Sequence, residues 1–151
     1  LEAGTGSTHA VFQRHPSVRR ELNSIDRAVL GQIVFADAGE REWLNRLIHP
    51  QVRRCFERSL GEHEDAPIIV LMIPLLFEAE LTDLCSEIWL VDCDEEQQLE
   101  RLMLRNELTR DDAQARIAAQ WPLSQKRELA DVLIDNRGTE RDLEKQLQLL
   151  S

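Results

Sequence analysis

Residues 87–106 read EIWLVDCDEEQQLERLMLRN. The stretch opens as an apolar run, Glu87–Val91, that stops at Asp92, and it continues as a helical pattern from Asp94 to Asn106. Asp94 followed by Gln97 is a helix-start signal. Two further runs behave like Glu87–Val91. Ile68–Ile73 is continuous and rich in β-branched residues, and Ala130–Ile134 ends at Asp135-Asn136. Strands apolar on both faces suit a buried parallel sheet. Helical stretches separate them, at Thr109–Gln120, which starts with Thr109 and Asp112, and at Leu123–Leu129. A last helix over Thr139–Leu150 carries Leu143, Leu147 and Leu150 on one stripe. Strands alternating with helices predict an α/β fold with a parallel sheet. In such sheets ligands bind beyond the carboxyl ends of the strands. All three runs end in polar or functional residue types: Pro74–Glu78, Asp92–Asp94 and Asp135–Gly138.

The chain before residue 65 is helical in pattern. Ser24 is placed to cap a segment reaching Phe35, with Ile25, Val29, Leu30 and Ile33 on one face. A stronger helix follows Asp37-Ala38-Gly39, with Trp43, Leu44, Leu47 and Ile48 at helical spacing and Val52, Cys55 and Phe56 continuing the stripe. His49-Pro50 interrupts it, which predicts a kink or a break.

A chain of 151 residues can bury a core of its own. The 18 Lys and Arg against 28 Asp and Glu leave a net charge of −10, which argues against non-specific nucleic-acid binding. It leaves room for a small anionic substrate held by local arginines. No apolar run has the roughly 20 residues that span a bilayer, and LEAGTGSTHA at the N-terminus is not a signal-peptide pattern. The expected location is cytoplasmic and away from membranes. Cys55, Cys85 and Cys93 lack C-x-x-C spacing and read as reduced thiols. His9, His15, His49 and His63 show no metal-ligand spacing. GTGST, residues 4–8, has a P-loop flavour but no lysine and no preceding strand, so it is not read as a phosphate cradle.

Three segments can carry chemistry. In VLMIPLLFE, residues 70–78, Pro74 marks the end of a strand because it cannot donate to a central ladder. Leu75, Leu76 and Phe77 then form either a loop packed under a neighbouring helix or the wall of a pocket with Glu78 at its edge. In residues 101–120, Arg101 and Arg105 share a helix face, and Arg110 and Arg116 follow. They read as a solvated face or as a mobile lid, since the guanidinium fork suits phosphate oxygens. Gln120-Trp121-Pro122 has the character of a hinge. In ADVLIDNRGT, residues 130–139, Asn136 and Gly138 form a turn that is either ordinary or able to read a purine edge.

Taken in order, these segments resemble dephospho-CoA kinase. FADAGEREWLNRLIHPQV (residues 35–52) is similar to the family's substrate-side helices. VLMIPLLFEAEL is similar to its P-L-L-F-E segment, and IWLVDCDEEQQLERLMLRN to its strand, V-D turn and arginine-bearing helix. LTRDDAQARIAAQWPLSQK is similar to its lid, and ADVLIDNRGT to its last strand and turn. The resemblance implies a P-loop nucleoside-triphosphate-hydrolase-like α/β fold with a parallel sheet, a helical substrate region and a helical lid. The implied segments are residues 1–65 for dephospho-CoA, 66–103 for the core strands and helix, 104–129 for the lid, and 130–151 for the last core strand and helix. The implied reaction moves the γ-phosphate of ATP, with Mg²⁺, to the ribose 3′-hydroxyl of dephospho-CoA.

By position, the resemblance puts His49, Pro74, Leu75, Leu76, Phe77 and Glu78 at dephospho-CoA. Arg105 falls beside the nucleotide base and is implied in catalysis with Arg116. Gln120 belongs with Arg116 to the lid over the phosphates, and Asn136 and Gly138 border the adenine. No residue of the chain is implied as a metal ligand. Two departures from the family pattern are Asn106 and Trp121. The family also opens with G-x-x-x-x-G-K-[ST] and a later D-A-D, neither of which occurs here. The expectation is a portion lacking about 40 N-terminal residues and two strands, with little kinase activity of its own and an exposed sheet edge. Alternatives are a nucleoside-monophosphate kinase of the same fold and a non-catalytic CoA- or partner-binding module.

Overall fold

The computed structural model describes residues 6–150, so Gly4 and Thr5 of the GTGST stretch lie outside the described residues. The chain divides into two compact units, residues 1–71 and 72–151.

The first unit is helical. Helix α1 spans Gly6–Arg14, α2 Arg27–Ala36 and α3 Ala38–Glu62, with short 3₁₀ turns at Pro16–Val18 and Glu21–Asn23 between α1 and α2. Asp26, not Ser24, caps α2. Its Oδ1 accepts from the Ala28 and Val29 amides at 3.0 and 3.1 Å, and Arg20 Nε holds Oδ2 at 2.7 Å. Ser24 Oγ instead donates back to the Glu21 carbonyl at 3.0 Å. A carboxylate serves two orphan helix amides better than a hydroxyl already committed to its own turn. Asp37 caps α3 through the Gly39 and Glu40 amides at 2.7 and 3.1 Å, so that helix begins at Ala38, ahead of the expected position. The 25-residue α3 runs through Pro50 without the expected break. Proline forfeits one bond to the carbonyl four residues back, and the flanking turns hold the helix. The core consists of Val11, Val18, Leu30 and Val34, with Trp43, Leu44 and Leu47 of α3 against it.

The second unit contains a two-stranded parallel sheet. Strand β1 is Trp89–Asp92 and β2 is Val132–Asp135, with Trp89 opposite Val132 and Asp92 opposite Asp135. Between them run α4 (Glu95–Asn106), α5 (Arg110–Ala118) and α6 (Leu123–Leu129), and α7 (Glu140–Leu150) follows β2. Thr109 caps α5 at the Asp112 amide, as its sequence predicts, and Thr139 with Asp142 starts α7 the same way. Phe77, Leu81, Leu99, Ala113 and Ile134 are buried.

The expected strand Ile68–Ile73 is corrected. These residues are not in a strand, and Ile68, Val70 and Met72 are 81%, 80% and 87% exposed. A β run needs a ladder to become a strand, and among the described residues the only sheet is β1–β2.

Candidate active site at the carboxyl ends of the strands

Asp92 and Asp135 close the two parallel strands side by side, and each is clasped by an arginine. Arg127 of α6 donates through Nε to both Asp92 oxygens at 3.0 Å and through Nη2 to the Cys93 carbonyl at 3.3 Å. Arg137 donates to Asp135 through Nε at 2.7 Å, Nη2 at 2.8 Å and its own amide at 2.9 Å. Those bonds hold the Asp135 carboxyl down at about 2. Burial pushes the neighbouring Cys93 thiol up.

The turn after β2 is pinned from α4. Arg101 Nη1 donates to the Asn136 carbonyl at 2.8 Å, and Gln97 Nε2 to the Arg137 carbonyl at 3.2 Å. The Asn136 amide donates to the Asp92 carbonyl at 2.7 Å. Both backbone groups of Asn136 therefore serve the fold, and Gln97 Oε1 is buried with no donor to it. Gly138 precedes the start of α7 closely, since a Cβ there would stand 3.0 Å from Asp142 Oδ2.

Pro74–Leu81 leaves the extended segment as a series of turns. The Ala79, Glu80 and Leu81 amides bond back to the Leu75, Phe77 and Leu76 carbonyls at 2.9, 3.1 and 3.0 Å. Glu80 takes the left-handed conformation with φ 53°, which reverses the chain and lets Leu81 bury. Pro74 is exposed, and Leu75 and Leu76 are half-buried. Phe77 is buried and stacks on Trp121, with ring centroids 6.2 Å apart and planes 12° from parallel. Glu78 Oε1 accepts from Lys126 Nζ at 2.7 Å and from the Trp121 amide at 2.9 Å. The structure thus brings the Pro74–Glu78 segment to the Gln120–Pro122 connection and to α6.

The other residues singled out from sequence are spread more widely. Arg105, in the last turn of α4, is exposed and donates from Nε to the adjacent Asn106 at 3.0 Å. Arg116 lies half-buried in the last turn of α5, and Gln120 is exposed just beyond it. Ala113 of α5 is buried, and α5 is tied to α4 by the Arg110–Glu96 pair, whose two bonds are each 3.1 Å. His49 belongs to the first unit, half-buried in α3.

The dephospho-CoA kinase family profile matches residues 8–142. The chain belongs to the dephospho-CoA kinase family. A dephospho-CoA kinase of Synechococcus sp. (strain CC9605) is 61% identical over 140 residues, covering 91% of this chain and 68% of that protein. One from Prochlorococcus marinus (strain MIT 9313) is 52% identical over 146 residues, covering 93% and 72%. Among solved structures, a Thermus thermophilus protein superposes with a TM-score of 0.72 at 32% identity, over 94% of this chain and 73% of that one. Dephospho-CoA kinase from Campylobacter jejuni gives 0.58 at 25% identity, over 94% and 74%. The small parallel sheet with flanking helices is the part of the dephospho-CoA kinase fold seen here. The enzyme class is a phosphotransferase, and the reaction is ATP-dependent phosphorylation of dephospho-CoA to coenzyme A.

Family membership also implies ATP with Mg²⁺. Among the described residues no three His, Cys, Asp or Glu side chains converge as a cation cage. The carboxylates at the strand ends, Asp92 and Asp135, are each engaged by arginine. These residues do not make a Mg²⁺ site, and no part of the ion's chemistry falls to them. No described helix is long and apolar enough to cross a membrane.

Lys126 and Arg127 escaped the sequence reading, and Gln97 entered it only as part of a helix-start signal. Their partners lie 48, 35 and 40 residues away, outside the reach of helical periodicity. Lys126 stands in a short polar helix, yet it is buried.

Proposed function

We propose that the second unit supplies the nucleotide-binding turn and one wall of the dephospho-CoA pocket for phosphorylation of the ribose 3′-hydroxyl. The wall is Pro74, Leu75, Leu76 and Phe77, with Glu78 at its polar edge. The observation that carries this reading is the meeting of that segment with the Gln120–Pro122 connection, through the Phe77–Trp121 stack and the Trp121 amide on Glu78. A segment with an apolar lip and one fixed carboxylate suits a substrate that joins a polar nucleotide to a long, less polar arm. His49 of α3 contributes to dephospho-CoA binding from the helical unit.

Nucleotide recognition falls to the far strand end. Arg101 and Gln97 fix the backbone of residues 136 and 137, which presets the turn through Gly138 that borders the adenine. Arg105, exposed one helical turn beyond Arg101, stacks on or flanks the base. Arg116 and Gln120, at the end of α5, close over the phosphates. Charge that spreads over the phosphoryl oxygens in the transition state is what an arginine there stabilises. The sequence contains no G-x-x-x-x-G-K-[ST] motif, so the phosphate cradle is not assigned to any residue of this chain. Residues 104–129 act as the lid, residues 1–65 as the dephospho-CoA region and residues 66–103 and 130–151 as the core, in a protein of the cytoplasm.

The test is a two-ligand map by NMR. Dephospho-CoA is expected to shift the amides of residues 75–78, and ATP those of Arg105 and residues 136–138. A dephospho-CoA titration that leaves 75–78 unmoved overturns the assignment of the wall.

A further inference from the structure

The pair Lys126–Glu78 stands apart from the other ion pairs among the described residues. Both side chains are largely withdrawn from water, 8% and 12% exposed, at 2.7 Å. The Arg110–Glu96 pair on the same unit is 54% and 60% exposed. Lys126 lies in α6, immediately after the Gln120–Pro122 connection. The same Glu78 oxygen that meets its ammonium also accepts the Trp121 amide. One residue earlier, Phe77 stacks on the Trp121 ring. Four groups therefore lock two segments that are more than 40 residues apart in sequence. Glu78 Oε2 is buried and accepts no hydrogen bond from the described residues, so the whole hold on the carboxylate passes through Oε1.

A buried ion pair is a poor source of net stability but a strong geometric constraint, because displacing either partner strands a charge out of water. The backbone amide of Trp121 adds direction to that constraint. Lys126 makes no bond to a strand or to the turn after β2 in this arrangement. Its position suits holding rather than contact with a phosphate.

We propose that Lys126 and Glu78 are positioning residues for the phosphoryl transfer: the pair couples the dephospho-CoA wall, Pro74–Phe77, to the end of the α5 lid. Glu78, at the polar edge of the wall, then sets the position of the wall through this pair. Closing of the lid over nucleotide and seating of dephospho-CoA against the wall become one motion. This rests on the reading that Leu75–Phe77 lines the dephospho-CoA pocket, and the experiment separates the two.

Amide hydrogen exchange is followed by mass spectrometry on the whole chain carrying Lys126→Met, Lys126→Arg, or the neutral double change Glu78→Gln with Lys126→Met. The double change removes both charges, so a chain that cannot tolerate a stranded carboxylate still folds. In the neutral double variant, exchange is expected to rise about tenfold in residues 75–81 and 119–123 together, with β1 and β2 unchanged. Lys126→Arg, which keeps the charge pair, is expected to leave exchange in both segments as in the unaltered chain. A rise in only one of the two segments, or an equal rise throughout, overturns the coupling. Dephospho-CoA affinity by calorimetry is the second readout, with Leu75→Ala as a direct probe of the wall. Both the neutral double variant and Leu75→Ala are expected to weaken binding about tenfold. If Leu75→Ala weakens it and the double variant does not, positioning by the pair is overturned while the wall stands. If neither weakens it, the wall itself falls and the proposal with it.

Discussion

At the scale of single residues, the strand ends show carboxylates used as anchors. Asp135 is held by three donors from Arg137, and its carboxyl sits at about 2. Because the folded value is lowered, the stabilising contribution is present above the unfolded aspartate value of about 3.9. It is lost as pH falls through the folded value, so the window is roughly pH 4 to 2. Arg137→Ala is expected to return the Asp135 carboxyl toward its ordinary range and to remove Asp135's share of the pH dependence of stability inside that window, while the lowered Asp26, Glu40 and Asp142 keep theirs. Carboxyl chemical shifts followed through an acid titration read this directly. An Asp135 value still near 2 in that variant would mean that the clasp is not its cause.

The pattern of these anchors explains what single residues disclosed in advance. Asp92, Asp135 and Glu78 are visible in sequence because each stands where an apolar run stops. Their partners Arg127 and Lys126 are not visible, because nothing in a short polar helix signals which cation turns inward. Thr109 at the start of α5 is legible, since its cap lies three residues away. Ser24 is misleading, since an aspartate two residues later offers a better acceptor to the same helix.

At the scale of elements, the helices of the second unit are legible almost to the residue. Their caps and stops are local, at Thr109 for α5, Pro122 for α6 and Thr139 for α7. Two of the three expected strands are present, and the third is not, because a strand depends on a partner that no local pattern reveals. Ile68–Ile73 has the composition of a buried strand and the exposure of a surface one. Helix α3 departs in the opposite sense: of the kink or break that its proline predicts, the break does not occur. Pro50 is exposed there and removes a bond to the Arg46 carbonyl. Pro50→Ala is therefore expected to stabilise the protein by roughly 1–3 kcal/mol, measured by denaturant unfolding. A destabilised variant would show that Pro50 makes a packing contribution larger than the bond it forfeits. His49 is the residue beside it, so dephospho-CoA affinity measured on the same variant shows whether helix regularity there matters to binding.

At the scale of the whole molecule, the two units are built differently. The helical unit is built around Val11, Val18, Leu30 and Val34. The α/β unit is organised by its two strand ends and by the junction of residues 74–81 with residues 120–126. A two-stranded sheet is marginal without cover, and Trp89, Val91 and Leu133 remain 42%, 53% and 49% exposed on it. These are exposed apolar groups that a net charge of −10 does not cover. The family, reaction class and ordering of segments follow from sequence because they rest on several short motifs in a fixed order. The inward hold on Glu78 does not, because it is set by tertiary packing.

The most direct measurement is a calorimetric titration of the protein with dephospho-CoA and, separately, with AMP. AMP carries the adenine, ribose and one phosphate but lacks the arm that the Pro74–Phe77 wall is assigned to receive. Dephospho-CoA is expected to bind about tenfold or more tightly than AMP, a difference of roughly 1.4 kcal/mol or more. AMP binding as tightly as dephospho-CoA would contradict the assigned pocket and favour a nucleoside-monophosphate site on the same fold.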